Sequence, residues 1–210
     1  ASPHIGFALE ITRADCWARF QRLNGDEVFF NTGADEHGAK IYQKARDIGM
    51  APKEYCDQQL QSWRRLKEAL NLSYDNFIRT TDARHILAVQ EFWRRARANG
   101  YIYKKPYKIK YCVGCELEKT DSELIDGKCL LHPNQEIEIL EEENYFFRFS
   151  AFQEKLLKLY ETRPDFVVPK IRFGEIKKFV QMGLEDFSIS RLRAKMPWGI
   201  EAPDDAEHVI

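Results

Sequence analysis

Apolar residues recur at helical spacing at the start of the chain, give way to a short apolar run, and then repeat that alternation. Over residues 6–23 they fall at Phe7, Leu9, Ile11, Cys16, Trp17, Phe20 and Leu23, with Arg13, Arg19 and Arg22 toward solvent. Asn24-Gly25 ends this helix, because glycine just past the last turn tolerates a left-handed backbone. Val28 to Asn31 predicts a short strand. Residues 38–48 predict a second helix closed by Gly49, and Pro52 suits the first turn of a third that runs to about Leu70. Phe77 to Thr80 predicts a second strand. Thr81 or Asp82 caps the next helix, which ends near Asn99-Gly100. Strands alternating with helices predict half of a parallel α/β sheet over residues 1–100.

From Tyr101 the texture changes. Residues 101–103 and 107–111 are rich in β-formers interleaved with lysine, and the paired cysteines follow. Residues 101–187 therefore read as an inserted domain, with amphipathic helices predicted over Phe152–Tyr160 and Ile176–Gly183. Residues 188–210 read as the return to the parallel sheet, with a strand starting at His208-Val209-Ile210. No strand precedes Pro3, although a phosphate-binding turn in a doubly wound fold is normally fed by one. Both ends thus predict an internal fragment of a longer protein.

Composition narrows the class. Hydrophobic residues make up 44% of the 210, enough for a packed core, and no apolar run approaches the ~20 residues of a membrane span. A net charge of −1 excludes a molecule coated in nucleic-acid-binding charge, while leaving room for a local basic face. The basic clusters Arg94-Arg95-Arg97 and Lys104-Lys105-Lys108-Lys110 have a plainer reading as solvated faces. Five cysteines, two of them in Cys-x-x-Cys, fit a reducing, cytoplasmic compartment and a metal site better than a disulfide framework.

Cys112-Val113-Gly114-Cys115 with Cys129-Leu130-Leu131-His132 carries the sharpest chemistry. Each pair of ligands two residues apart wraps one ion. The two pairs supply three thiolates and an imidazole, the donor set of structural Zn²⁺, with no position left open for catalysis. Cys16 and Cys56 sit on apolar helix faces and read as buried.

Two further stretches carry a resemblance. Pro3-His4-Ile5-Gly6 is similar to the HIGH signature of class I aminoacyl-tRNA synthetases. Thr32-Gly33-Ala34-Asp35-Glu36-His37-Gly38 resembles the T-G-x-D-E-H-G loop of the methionine-specific branch. Phe77 to Thr81 resembles that branch's F-x-R-T-T segment, and Glu141 to Arg148 its E-E-N-Y-F-F-R segment. The chain is identified as a member of the methionyl-tRNA synthetase family. The family's fold implies the first half of a Rossmann-type, HUP-like catalytic domain, split by a zinc-binding connective peptide.

The resemblance implies an activity, ATP-dependent activation of methionine to methionyl-adenylate and its transfer to tRNA(Met), with ATP and Mg²⁺ as substrate. It implies roles for Pro3, His4, Gly6, Phe7 and Glu10 at ATP, for Asp35 at the methionine amino group, and for His4 and Arg191 in catalysis. Spacing alone leaves Asp35 between that role and capping the helix near Gly38. It leaves Glu10 between adenosine and solvent, and Arg191 between the active site and the surface. Where the family's signature ends in histidine this chain has Phe7, which cannot donate to a phosphate oxygen. That departure keeps a second reading open, a non-catalytic paralogue that binds tRNA or protein. The family's KMSKS motif is not in the sequence, so the chain alone is expected to be inactive.

Overall fold

The computed structural model describes residues 3–112, 114–115, 117–119 and 123–210; Val113, inside the first cysteine pair, lies outside them. The chain divides into two compact units, residues 1–93 with 192–210, and residues 94–191.

In the first unit, helix α1 (Ile5–Leu23) is capped by His4, whose Nδ1 accepts from the Phe7 amide at 3.4 Å. It ends where Gly25 takes a φ of 90° and the Asp26 amide donates back to the Gln21 carbonyl. Ile11, Asp15 and Ala18 form its buried stripe, and Cys16, expected to be buried, faces away from it and is exposed. Strand β1 (Asn31–Ala34) pairs in parallel with β2 (Asn76–Arg79), in the register Asn31 to Asn76 through Ala34 to Arg79. The predicted strand at Val28–Asn31 lies three residues too early. Phe29 is exposed, and the ladder begins only where β2 supplies a partner. Gly33 is fixed by that pairing, since a Cβ there would stand 2.1 Å from the Ile78 carbonyl oxygen. Helices α2 (Ala39–Asp47) and α3 (Pro52–Ala69, with proline in its first turn) make the crossover between the strands. Helix α4 (Ala83–Ala98) follows β2.

Arg19 and Arg22, expected in solvent, instead reach the loop before β2. Asp15 accepts from the Ser73 amide and hydroxyl and from Arg19 Nε, and Arg22 bonds Ser73 Oγ at 2.8 Å and Asp75 at 2.7 Å. These bonds fasten α1 to the entry of β2, and so hold the helix start against the ends of the strands.

The second unit is built on a long hairpin. Strands β3 (Ile102–Cys112) and β7 (Ile137–Phe147) pair antiparallel along their whole length. Between them lie three short strands, β4 (Leu117–Lys119), β5 (Leu124–Ile125) and β6 (Lys128–Cys129). A 3-10 turn over Phe149–Phe152 leads into α5 (Gln153–Thr162), and α6 (Lys170–Gln181) packs on it through Tyr160, Val180, Leu184, Leu156 and Phe173. Helix α6 starts well before the predicted Ile176, directly after Pro169. Strand β8 (Phe187–Ser188) returns to β7, and Asp186 accepts from the Ser150 amide, the Ser150 hydroxyl and the Tyr103 hydroxyl.

The chain re-enters the first unit through β9 (Arg191–Leu192). Strands β10 (Glu201–Ala202) and β11 (Asp205–Val209) then form an antiparallel hairpin, turned at Asp204 with a φ of 64°. The expected strand at the end of the chain is therefore present, but it lies between β10 and β9 in a three-stranded sheet of its own. A strand just after a two-residue turn finds its immediate predecessor as the nearest partner.

Candidate functional site

The loop after β1 and the start of α1 meet at one cavity of about 170 Å³ in the first unit. Pro3, His4 and Phe7 line it from α1, Asp35 and Glu36 from the loop, and Tyr55, Gln59 and Trp63 from α3. Carboxyl ends of parallel strands are where α/β sheets bind ligands.

His4 is exposed and its ring folds over Gly6. A Cβ at Gly6 would stand 3.0 Å from His4 Cε1. A side chain at the signature's glycine would therefore crowd the histidine ring and push it aside. Nδ1 is occupied as the helix cap, which leaves Nε2 as the donor. Phe7 meets Trp63 edge-on with ring centroids 4.3 Å apart, and Trp63 leads on to Phe77 at 6.0 Å. The histidine of the signature is replaced here by an aromatic packing residue. Glu10 lies exposed on the second turn of α1.

Asp35 is exposed, with Thr80 Oγ1 and the His37 amide each 3.4 Å from its Oδ1. Both contacts are long, so the carboxylate is free to take a stronger donor. Glu36 beside it is buried, and every polar atom it has is taken. Its amide donates to Thr80 Oγ1 at 2.9 Å, and its carboxylate accepts from Arg79 Nε at 2.7 Å and from Thr81 Oγ1. Its carbonyl accepts from Trp198 Nε1 and from Cys56 Sγ at 3.8 Å. Burial pushes the Cys56 thiol up to about 11, with the Glu36 charge adding to it, so this cysteine is a neutral packing group. The His37 ring meets Trp198 at a tilt, with centroids 5.4 Å apart; burial holds its pKa below the ordinary imidazole value against the pull of Asp35 and Glu36.

Glu36, Arg79, Thr80, Thr81 and Trp198 were given no site role from sequence, although Glu36 lies in the resembling loop and Arg79 to Thr81 in the F-x-R-T-T segment. The signal available was Arg79-Thr80-Thr81, a polar run at the carboxyl end of an apolar strand.

In the second unit, Cys112, Cys115, Cys129 and His132 bring one donor atom each to within 4.8 Å of one another. Cys115 Sγ is 3.4 Å from Cys129 Sγ and 3.2 Å from His132 Nδ1, and Cys112 Sγ is 3.8 Å from the same nitrogen. Imidazole and thiols converge through Nδ1 on one point. Gly114 permits the convergence, since a Cβ there would come within 2.6 Å of the His132 ring and 2.5 Å of Gln135 Oε1. Burial and the neighbouring thiols push Cys115 up to about 11. Desolvation works against the Cys129 thiolate as well, but hydrogen bonds from Cys115, the Leu131 amide and His132 bring it down to about 6. Crowded thiols that cannot all ionise together are the donor set a divalent cation would hold. Arg191 is described in the same unit, where Nη1 donates to Ser190 O at 2.9 Å and Ser188 Oγ at 3.1 Å.

A family profile described as tRNA synthetases class I (M) matches residues 1–130 and 115–210. The chain belongs to this family of class I tRNA synthetases. Curated relatives carry the name methionine–tRNA ligase. That of Nostoc sp. is 45% identical over 99% of this chain and 39% of its own length, and that of Brucella suis is 46% identical over 99% and 41%. Among solved structures, Mycobacterium tuberculosis methionyl-tRNA synthetase bound by methionyl-adenylate is 42% identical, with a TM-score of 0.84 over 100% of this chain and 42% of that one. The chain spans about two fifths of the length of these relatives. Among the described residues, no helix is long and apolar enough to cross a membrane.

Proposed function

We propose that this chain forms the adenylate-forming half-site of a cytoplasmic methionine–tRNA ligase. Residues 1–100 and 188–210 would belong to the catalytic domain, and 101–187 to an inserted connective-peptide domain. The observation that carries the reading is that Asp35 and His4, which carry the two signature motifs, line one cavity.

In this reading the Asp35 carboxylate takes the ammonium of methionine, an ion that needs an anionic partner once water is excluded. The methionine carboxylate attacks the α-phosphorus of ATP and pyrophosphate leaves. No covalent enzyme intermediate is required, so the protein's part is position and charge stabilisation. His4 donates from Nε2 to a phosphate oxygen, beside the free amides at the start of α1. Pro3, Gly6, Phe7 and Glu10 frame the nucleotide, which enters with Mg²⁺. Arg191 serves the carboxylate or phosphate charge. A ribose hydroxyl of tRNA(Met) then attacks the methionyl carbonyl of the adenylate, so that the methionyl ester forms and AMP leaves.

Cys112, Cys115, Cys129 and His132 would hold one structural Zn²⁺. Four protein donors fill a tetrahedral site, so the ion would organise the knuckles and take no part in the reaction.

ATP–pyrophosphate exchange tests this reading, run on a full-length protein carrying this chain with each amino acid in turn. Exchange with methionine alone is the expected result. No exchange with any amino acid, with retained tRNA binding, would establish instead the non-catalytic paralogue that Phe7 favours.

A further inference from the structure

We infer that Arg79, Thr80 and Thr81 act as positioning residues for Asp35, clamping the loop through the buried side chain and backbone of Glu36. The inference rests on the reading of Asp35 as the ammonium-binding carboxylate.

Asp35 is held weakly and its neighbour firmly. The two contacts to Asp35 are 3.4 Å long, whereas Glu36 is bonded at its amide, its carbonyl and both carboxylate oxygens. Arg79 is the hub. Its Nε holds Glu36 Oε1 at 2.7 Å and its Nη1 holds Asp57 of α3 at 2.6 Å, while its own amide donates to Asp82 Oδ2 at 3.0 Å. With side chains only 12% and 6% exposed, Arg79 and Glu36 form a charge pair whose geometry water does little to loosen. Thr80 connects the clamp to the working group. Its hydroxyl accepts from the Glu36 amide and faces Asp35 Oδ1, and its amide donates to the Ala34 carbonyl at 3.2 Å.

These contacts fix the backbone on both sides of Asp35 and leave the carboxylate open. Such an arrangement suits an electrostatic partner for a cation, because the charge is aimed beforehand and little reorganises on binding. The loop motif and the Arg-Thr-Thr run are therefore two halves of one device.

The test is methionine-dependent ATP–pyrophosphate exchange by the full-length protein. Misplacing a binding group by about 1 Å can cost about 100-fold. Thr80→Val is accordingly expected to raise the methionine KM about 10-fold or more, leaving kcat and the ATP KM within about 2-fold. Thr80→Ser, which keeps the hydroxyl, is expected to restore the methionine KM. In an Asp35→Ala background the Thr80→Val effect should vanish, because the clamp acts through the group already removed. Thr81→Val, which breaks the clamp at the Glu36 carboxylate, should follow the same pattern, and gives the same reading should Thr80→Val fail to fold. Equal factors in both backgrounds would overturn the inference. So would an unchanged methionine KM in both threonine variants while Asp35→Ala raises it, and that result would leave the functional reading intact. An unchanged KM in Asp35→Ala itself would overturn both.

Discussion

The loop at residues 34–38 and the knuckles at residues 112–132 each bring scattered polar groups to one point, by opposite means. Around the loop, partners come from β2, α3 and the segment at Trp198, and the Glu36 amide, carbonyl and carboxylate are all bonded within this chain, although Arg79 Nη2 has no partner among the described residues. Around the knuckles, apart from the end of β3 that carries Cys112, the supporting elements are strands of two or three residues, and the donors face chiefly one another. Leu130, Leu131 and Ile125 are exposed there, so little apolar burial holds the segment. The first site is organised by the chain itself, whereas the second offers four donors that an ion would draw together.

Removing that ion should therefore have the largest effect and the most local one. Purified protein is expected to hold about one equivalent of zinc, and structural zinc contributes on the order of 10 kcal/mol to small sites. Chelation or Cys115→Ser should open residues 112–136 to proteases and leave the first unit folded. A metal-free protein with unchanged protease resistance would erase the contrast. Gly114→Ala should come next. Its Cβ would collide with the His132 ring, and a distorted ligand typically costs about 10–100-fold in metal affinity. Competition with a zinc chelator measures this.

Asp15→Ala probes the self-organised side. It strips acceptors from the Ser73 amide, the Ser73 hydroxyl and Arg19, and should destabilise the first unit by about 1–3 kcal/mol in denaturant unfolding. Burial opposes the Asp15 charge, but these hydrogen bonds outweigh it and hold the carboxyl below its ordinary value. A depressed folded-state pKa means that the contribution is present above the unfolded value near 3.9 and is lost as pH falls through the folded one. Asp15→Asn should lessen the loss of stability in that acidic window and nowhere above it.

The smallest effect on stability is expected at Phe7. Phe7→His exchanges a ring contact worth about 0.5–1.5 kcal/mol for a phosphate donor. Stability should fall by about that amount. The adenylation rate of the full-length protein should rise with the ATP KM unchanged, because such a donor acts mainly in the transition state. A loss of folding, or no gain in rate, would mark Phe7 as packing in a site already compensated.

The same contrast explains how much was legible in the sequence. The knuckles stood out because metal ligands must be particular residue types at fixed spacing, and the structure brings those four together. The helices and both parallel strands were legible from periodicity, with β1 displaced to where its partner begins. What the sequence hid were partners chosen by distance in space. Arg19 and Arg22 look like solvated helix charges until the loop at 71–75 is seen beside them. Glu36 looks like one acidic residue among others until Arg79 and Thr81 close on it. Periodicity also could not tell that β11 would turn back on β10.

One measurement tests the account most directly, the methionine KM in ATP–pyrophosphate exchange by a full-length protein carrying this chain, with and without Asp35→Ala. Removing one partner of a hydrogen-bonded charge pair that the bound substrate would bury costs about 2–5 kcal/mol, so the KM should rise about 30-fold or more, with the ATP KM little changed. Exchange that keeps its methionine KM after Asp35→Ala would contradict the account.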